Sequence, residues 1–386
     1  MKNLLKLGIG LIIAAMAIMP ATAQNMIRIG DATITYESGS IDPENLNGNA
    51  RDVIITADNG NTIAIDHYKF ETSPAENQTK IDIFDVKGVV ISEDGNVVTI
   101  QHLTWTDLVL PVEDFNFNDL MFDDRFLDQI ENFGHFKMTN LDYFEDGQQN
   151  MHIDGIAFDS AMVDVPNLSN VPIQDVSLTL DHMVIAVDAS QDQDFRDLMG
   201  RLGLNQFVIN AYIESIVDVK NDRVDNNIRT AIEFKGMALV EFDMSIGLLN
   251  SSLQILNAAV KQPEAIISDE LVALMFTGGM FNSTRLMIED QGILALGIED
   301  LANDQGITKE EVVGFMMDQL AINMGSFAPL TFAQVAPDIR NFLNQGGSLT
   351  IALTPATPTV FSSFLGFAAV PDTAAEVLGL SVQHYP

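Results

Sequence analysis

The chain contains no cysteine, so no disulfide staples it and no thiol chemistry is open to it. Basic residues are scarce too: 19 Lys and Arg stand against 54 Asp and Glu, for a net charge of −35. A surface of that sign repels phosphate backbones and anionic headgroups over long distances, which excludes DNA and RNA as partners. Tryptophan occurs once, as Trp105. Beyond the first residues, no apolar run approaches the ~20 needed for a membrane-spanning helix.

Catalytic signatures are also missing. The six histidines, His67, His102, His135, His152, His182 and His384, are scattered singly, with no HExxH or other metal-ligand spacing. There is no GxSxG elbow, and Ser348 after Gly346-Gly347 simply opens a strand. Neither a P-loop nor a dinucleotide glycine fingerprint occurs, so no nucleotide cofactor is implied and none of another kind is expected. The chain is expected not to be an enzyme, and no catalytic or metal-ligating residues are assigned.

What is present begins with a leader. Lys2 and Lys6 precede an apolar run from Leu7 to Met19, followed by Pro20 and Ala21-Thr22-Ala23. That order is a secretory signal peptide over residues 1–23, cleaved after Ala23. No cysteine follows it, so a lipid anchor is excluded, and a periplasmic or secreted location is expected without a transmembrane span once the leader is gone.

The remainder alternates apolar and polar residues with a period of two, the pattern of half-buried strands. Residues 26–36 read as one strand and 37–50 as a loop. Strands follow at 51–57 and 61–71 around Asp58-Asn59-Gly60, and at 79–92 and 96–110 around Asp94-Gly95, both hairpin signals. In the last of these, alternation breaks once near Gln101 and His102, which predicts a bulge. Residues 118–133 switch to helical spacing and carry an acidic cluster, Asp119, Asp123, Asp124 and Asp128. Strands resume at 135–145, 149–165 and 173–189.

A second part begins near Asp192 with a helix. Three cleanly alternating strands then place Ile209, Ala211, Ile213, Ile228, Ile232, Phe234, Val240, Phe242 and Met244 on one face. Asn210, Glu214, Asp218, Arg229, Glu233, Glu241 and Asp243 fall on the other. Helices are expected at 251–261, 263–276 and 292–303, with a strand at 280–289. Thr308-Lys309-Glu310-Glu311 is a capping box that opens another helix, whose buried stripe is read as Val312, Phe315, Met316, Leu320 and Met324. Phe332, Val335, Ile339, Phe342 and Leu343 make one more, bent or restarted at Pro337. Strand 348–354, a small helix at 372–378 and a terminal strand close the chain.

Four stretches, NSTRLMIEDQGIL at 282–294, ANDQGITKEEV at 302–312, FLNQGGSLTIALTPATP at 342–358 and VLGLSVQH at 377–384, resemble uncharacterised secreted proteins of alphaproteobacteria, as does LGLNQFVINAYI at 202–213. That family has no activity to carry over. The N-terminal meander resembles AsmA-type and YdgA-type envelope proteins, a likeness that implies a long curved sheet forming an apolar trough.

The expected fold is α+β and β-dominated: a long curved antiparallel sheet with C-terminal helices packed on its apolar face. Its domains are residues 24–190 and 191–386, sharing a continuous sheet. Many one-sided strands create more apolar surface than a few helices cover, and the uncovered part is a ligand site. Lipid or another envelope protein is the expected partner, with Trp105, Phe242, Met244 and Phe315 as ligand-binding walls. The alternative is a non-catalytic structural or adaptor protein whose acidic surface gathers partners or divalent cations.

Overall fold

The computed structural model describes residues 26–29, 32–42, 47–57, 60–75, 78–93, 95–111, 132–165, 173–188, 190, 192–260, 276–367 and 369–386. The leader, residues 118–131 of the expected 118–133 helix with its acidic cluster, and most of the 263–276 helix lie outside the described residues, while Asn132 and Phe133 are not helical, Asn132 bridging to Val109 instead. The chain is β-dominated, and every strand pairing given below is antiparallel. Its residues fall into two compact units. One is drawn from the chain up to Met162 with Val176–Arg196 and Asn205–Val208, the other from Val163–Asp175, Asp197–Leu204 and Ile209–Pro386.

The first unit is a meander. Its strands are β1 (Met26–Ile29), β2 (Ala32–Thr35), β3 (Ser38–Ile41), β4 (Gly48–Ala57), β5 (Thr62–Ala75), β6 (Gln78–Glu93), β7 (Asn96–Pro111), β8 (His135–Glu145), β9 (Gln148–Met162) and most of β10 (Gln174–Ala186). From β3 to β9 each strand pairs with the next, and β2 also pairs with β4. The single strand expected over 26–36 is instead a pair, because Met26–Ile29 lies antiparallel to Ala32–Thr35 across a Gly-Asp step. Ser38–Ile41 is likewise a strand rather than loop, paired with the start of β4. Short polar strands of this kind carry too little alternation to be recognised.

One face of this meander is a continuous buried core running from Ile27 to Ile153. Along it, the side of the strands that faces the core changes at one position shared by β4 to β8. There buried residues come three apart on five successive strands: Ala50 and Val53, Ile65 and Tyr68, Val86 and Val89, Ile100 and Leu103, Met138 and Leu141. Ile153 and Ile156, then Leu180 and Met183, continue the step. The break expected near Gln101 is therefore one point on a row that crosses the unit. The backbone makes the step possible by taking φ of 52° at Asp52, 62° at Gly88, 48° at Asn140 and 49° at His182, on alternate strands. Glycine, asparagine, aspartate and histidine are the types that tolerate this left-handed region best.

The step also turns adjacent residues outward together. Arg51, His67, Lys87 and His102 stand directly opposite one another on four successive strands, a row of nitrogen-bearing side chains on an acidic chain. The Asp66 carboxylate fills the space beside Gly88 where a β-carbon would stand. Gly88→Ala is therefore expected to lose about 1–3 kcal/mol, from backbone strain plus the displaced carboxylate. Gly60→Ala, also at positive φ but with nothing near its β-position, is expected to lose less. Urea titration of both variants reads the difference.

The second unit takes in Val163–Asp175, part of helix α1 (Gln193–Arg201) and most of β11 (Gln206–Val219), with β12 (Arg223–Phe234), β13 (Ala238–Leu249), α2 (Asn250–Val260) and β14 (Gly279–Asp290). Helices α3 (Ile293–Gln305), α4 (Lys309–Leu320) and α5 (Pro329–Gln345) follow, with a π-helical turn at Ala321–Gly325 between the last two. The chain ends with β15 (Gly347–Leu353), the short β16 (Thr359–Val360), α6 (Ser363–Phe367), α7 (Pro371–Val377) and β17 (Leu380–Tyr385).

Helix α3 stops at Gly306 in the left-handed conformation, φ 66°. The capping box is formed as read: the Glu311 N–H donates to Thr308 Oγ1 at 3.2 Å and the Thr308 N–H donates to Glu311 Oε2 at 2.7 Å. Helices α3, α4 and α5 share a small core of Ile298, Ala302, Val312, Val313 and Met317, against which Phe332, Ile339 and Leu343 pack. Pro337 sits inside α5 without ending it.

The stripe expected on α4 needs correction. Val312, Val313 and Met317 are buried, whereas Phe315 is 58% exposed and Met316 also faces outward. Apolar residues occupy more than one side of this helix, and packing against α3 and α5 selects the Val312 side.

Candidate functional site

The strands of the second unit build the site. In antiparallel pairs, residues directly opposite one another project to the same face, and so do residues two apart along a strand. The register therefore aligns three rows. The first runs Ile213, Thr230, Phe242, Leu286, Ile351, Val382. On one side of it lies Ala211, Ile232, Val240, Ile288, Leu349, His384, and on the other Ser215, Ile228, Met244, Thr284, Leu353, Leu380. An apolar face thus spans six strands, with Phe242 and Met244 near its middle.

Little of that face is fully buried. Of the three rows only Leu349 is buried; Ile213 is exposed and the others are half-buried. The first unit behaves differently, since the same alternation there yields one long buried core. The sheet residues of the second unit that join a buried cluster sit toward one end, where Val165 and Val224 gather Val217, Val219 and Leu253. At the β17 edge, α5 contacts the sheet through Phe342, whose ring lies 6.4 Å from that of His384 at 64°, and through Asp338, which accepts from the His384 N–H at 3.2 Å.

The opposite face is polar by the same register. Glu214, Arg229, Asp243 and Arg285 stand in line with alternating charge. Arg285 donates from Nε to Asp243 Oδ2 at 2.8 Å and from Nη2 to Glu241 Oε2 at 2.9 Å, and Asn210 Nδ2 donates to Glu233 at 2.6 Å. The division into an apolar and a polar side follows the sequence reading residue for residue.

Of the four residues read as ligand walls, the structure brings two together, Phe242 and Met244. Trp105 belongs to the first unit. Its indole N–H donates to the Phe133 carbonyl at 2.6 Å, its ring meets Phe136 edge-on at 5.5 Å, and it packs against the main core. Phe315 lies on α4 with its side chain outward.

Sequence reasoning missed the histidine partners. His102 Nε2 lies 2.7 Å from Asp85, His135 Nδ1 2.8 Å from Asp159, and His152 sits between Asp142 at 2.6 Å and Asp154 at 2.7 Å. Only strand register reveals such pairs, since ten to twenty-four residues separate most of the partners in the chain.

At His152, desolvation opposes protonation, but hydrogen bonds and charge from Asp142 and Asp154 outweigh it and raise the imidazole above its ordinary 6.5. Asp142 is further held by Thr99 and Gln149. A raised folded value means that this bridge stabilises fully below pH 6.5 and loses its contribution as pH rises through the folded value. The melting-temperature gap between wild type and His152→Gln is therefore expected to be widest in mildly acidic buffer and to narrow on the alkaline side. A gap that widens with pH would contradict the assignment.

Among the described residues no helix is long and apolar enough to cross a membrane. A protein-family model described as "Uncharacterized protein" matches residues 231–385. Over that span the chain is similar to this family. The span contains the end of β12 with β13, β14, β15 and β17, and with them five of the six positions in the Ala211 row and four of the six in each of the other two. No curated protein matches the chain.

Proposed function

We propose that the protein is an exported envelope protein that binds a lipid or comparable apolar ligand on the β11–β17 face, in a passive, non-catalytic role. The observation that carries this reading is the contrast between the units: one alternating meander buries its apolar face, while the other leaves three aligned rows half-buried. Apolar side chains in contact with water cost about 25 cal/mol per Å². A hydrocarbon chain laid along the rows would recover that surface, with Phe242 and Met244 as its central contacts. Methionine suits the task, because its flexible thioether adapts to ligands of varied shape.

Export is supported by the three-part leader, and helix α5, which meets β17 through Phe342 and Asp338, would border the ligand at that edge. In the finer form of this reading, the sheet is curved and its hollow side holds the acyl chain. The test is a titration of the full-length mature protein with a pyrene-labelled phosphatidylcholine below its aggregation limit. Saturable enhancement of the probe, reversed by unlabelled lipid, is expected. A flat response would contradict the proposal.

A further inference from the structure

A second apolar surface lies on the C-terminal helices, apart from the rows of the sheet. Leu330 is 75% exposed and Leu365 72%, with Ile322, Phe327 and Val370 also well exposed. They are gathered by local structure. Ile322 sits on the π-helical turn and Phe327 immediately after it; Leu330 is the second residue of α5. The start of α5 is tied to the start of α7 by Asp372 Oδ1, which accepts from both the Thr331 N–H and its hydroxyl at 2.8 Å. That tie joins the residue after Leu330 to the second residue of α7, which Val370 precedes by two positions. Helix α6 is anchored by Phe364, whose ring meets Phe281 of β14 at 5.8 Å, while its neighbour Leu365 is exposed.

The charge pattern says what would cover this tip. Between Gln319 and Pro371 the only ionisable side chains are Asp338 and Arg340, in a chain of net charge −35. Asp338 is engaged with β17. Asp372, which flanks the tip, is held below the usual carboxylate range by its hydrogen bonds to the Thr331 backbone and side chain and is turned onto α5. Asp318 and Glu376 stand exposed at its margins, so an acidic protein that confines charge to the rim of an exposed apolar surface presents a centre matched to a neutral interface. Charge repulsion between copies disfavours self-association, and the same repulsion disfavours anionic membranes.

We infer that the α5–α6–α7 tip docks the protein on a zwitterionic lipid surface, with Ile322, Phe327, Leu330, Leu365 and Val370 entering the headgroup boundary. This goes beyond ligand binding on the sheet, since a protein can rest on a membrane without taking up a lipid.

Flotation of the full-length mature protein with phosphatidylcholine vesicles tests it. Wild type is expected to float at low and high salt alike, and progressively less as phosphatidylglycerol is added at low salt. Leu330→Glu with Leu365→Glu is expected to float at least tenfold less while melting at the wild-type temperature, because both side chains are already exposed. Ile322→Ser with Phe327→Ser is an independent version on the neighbouring turn. Phe242→Glu with Met244→Glu, aimed at the sheet, is expected to float like wild type, which separates this inference from the ligand reading. The inference is overturned if wild type fails to float or if both tip variants float as wild type does. It is equally overturned if light scattering shows a dimer that the tip variants convert to monomer, which would assign the surface to a second copy.

Discussion

Phe70→Ala is expected to remove about 3–5 kcal/mol of stability, the usual range for deleting a buried phenyl ring. Phe70 is only 1% exposed and stands opposite Phe84 in the β5–β6 register, its ring edge-on to Phe84 at 6.0 Å. Tyr68 meets the same Phe84 ring at 6.4 Å. Truncation leaves a cavity in the middle of a long one-sided core, where strands paired on both edges cannot close in. It also removes an aromatic pair worth roughly 0.5–1.5 kcal/mol beyond its area. With no disulfide to compensate, and domain stabilities of about 5–15 kcal/mol, one residue accounts for a large fraction of the total. Chemical denaturation followed by circular dichroism reads this directly. A loss under about 1 kcal/mol would mean that the core is far looser than its burial indicates.

Phe242→Glu with Met244→Glu is expected to weaken binding of the pyrene-labelled lipid at least a hundredfold. Two carboxylates placed in the centre of the rows would each have to be desolvated by an incoming hydrocarbon chain, and burying even a neutral polar group without a partner costs about 2–7 kcal/mol. Both positions are half-buried in the free protein, so the folding penalty is smaller than the binding penalty. Trp105→Phe serves as the contrast. It deletes the hydrogen bond to the Phe133 carbonyl and is expected to lower stability while leaving affinity unchanged. If the Trp105 variant lost affinity and the β13 variant kept it, the site would be in the wrong unit.

How much of this was legible beforehand depended on the range of the signal. The strands from β4 to β13 could be read because alternation and Gly-containing turns are local, and the Thr308 capping box because it is completed within four residues. The core step could be read at one point only, near Gln101 and His102. Its repetition on Ala50/Val53, Val86/Val89 and Met138/Leu141 emerges when registers align slips that each look accidental alone. The first hairpin, Met26–Thr35, was missed because four-residue strands leave no room for a pattern to develop.

The candidate site was half legible. Phe242 and Met244 were placed correctly on the apolar side by parity, which does not depend on partners. Trp105 lies in the other unit, hydrogen-bonded and packed on the core, and composition cannot tell a ring so placed from one lining a groove. Phe315 was misjudged because α4 is apolar on more than one side, and the face that is buried depends on α3 and α5. The His152 bridge and the Arg285 contacts to Glu241 and Asp243 were invisible for a further reason: on an acidic chain nearly every basic group has several carboxylates to choose from.

The central claim is that the half-buried rows of β11–β17 hold an apolar ligand. Native mass spectrometry of the full-length protein, purified without detergent from its own envelope fraction, tests it most directly. The account predicts a population carrying the added mass of an acyl lipid, absent from Phe242→Glu with Met244→Glu. A wild-type protein found only at its bare mass, even after incubation with lipid, would contradict it, as would an adduct that survives in the double variant.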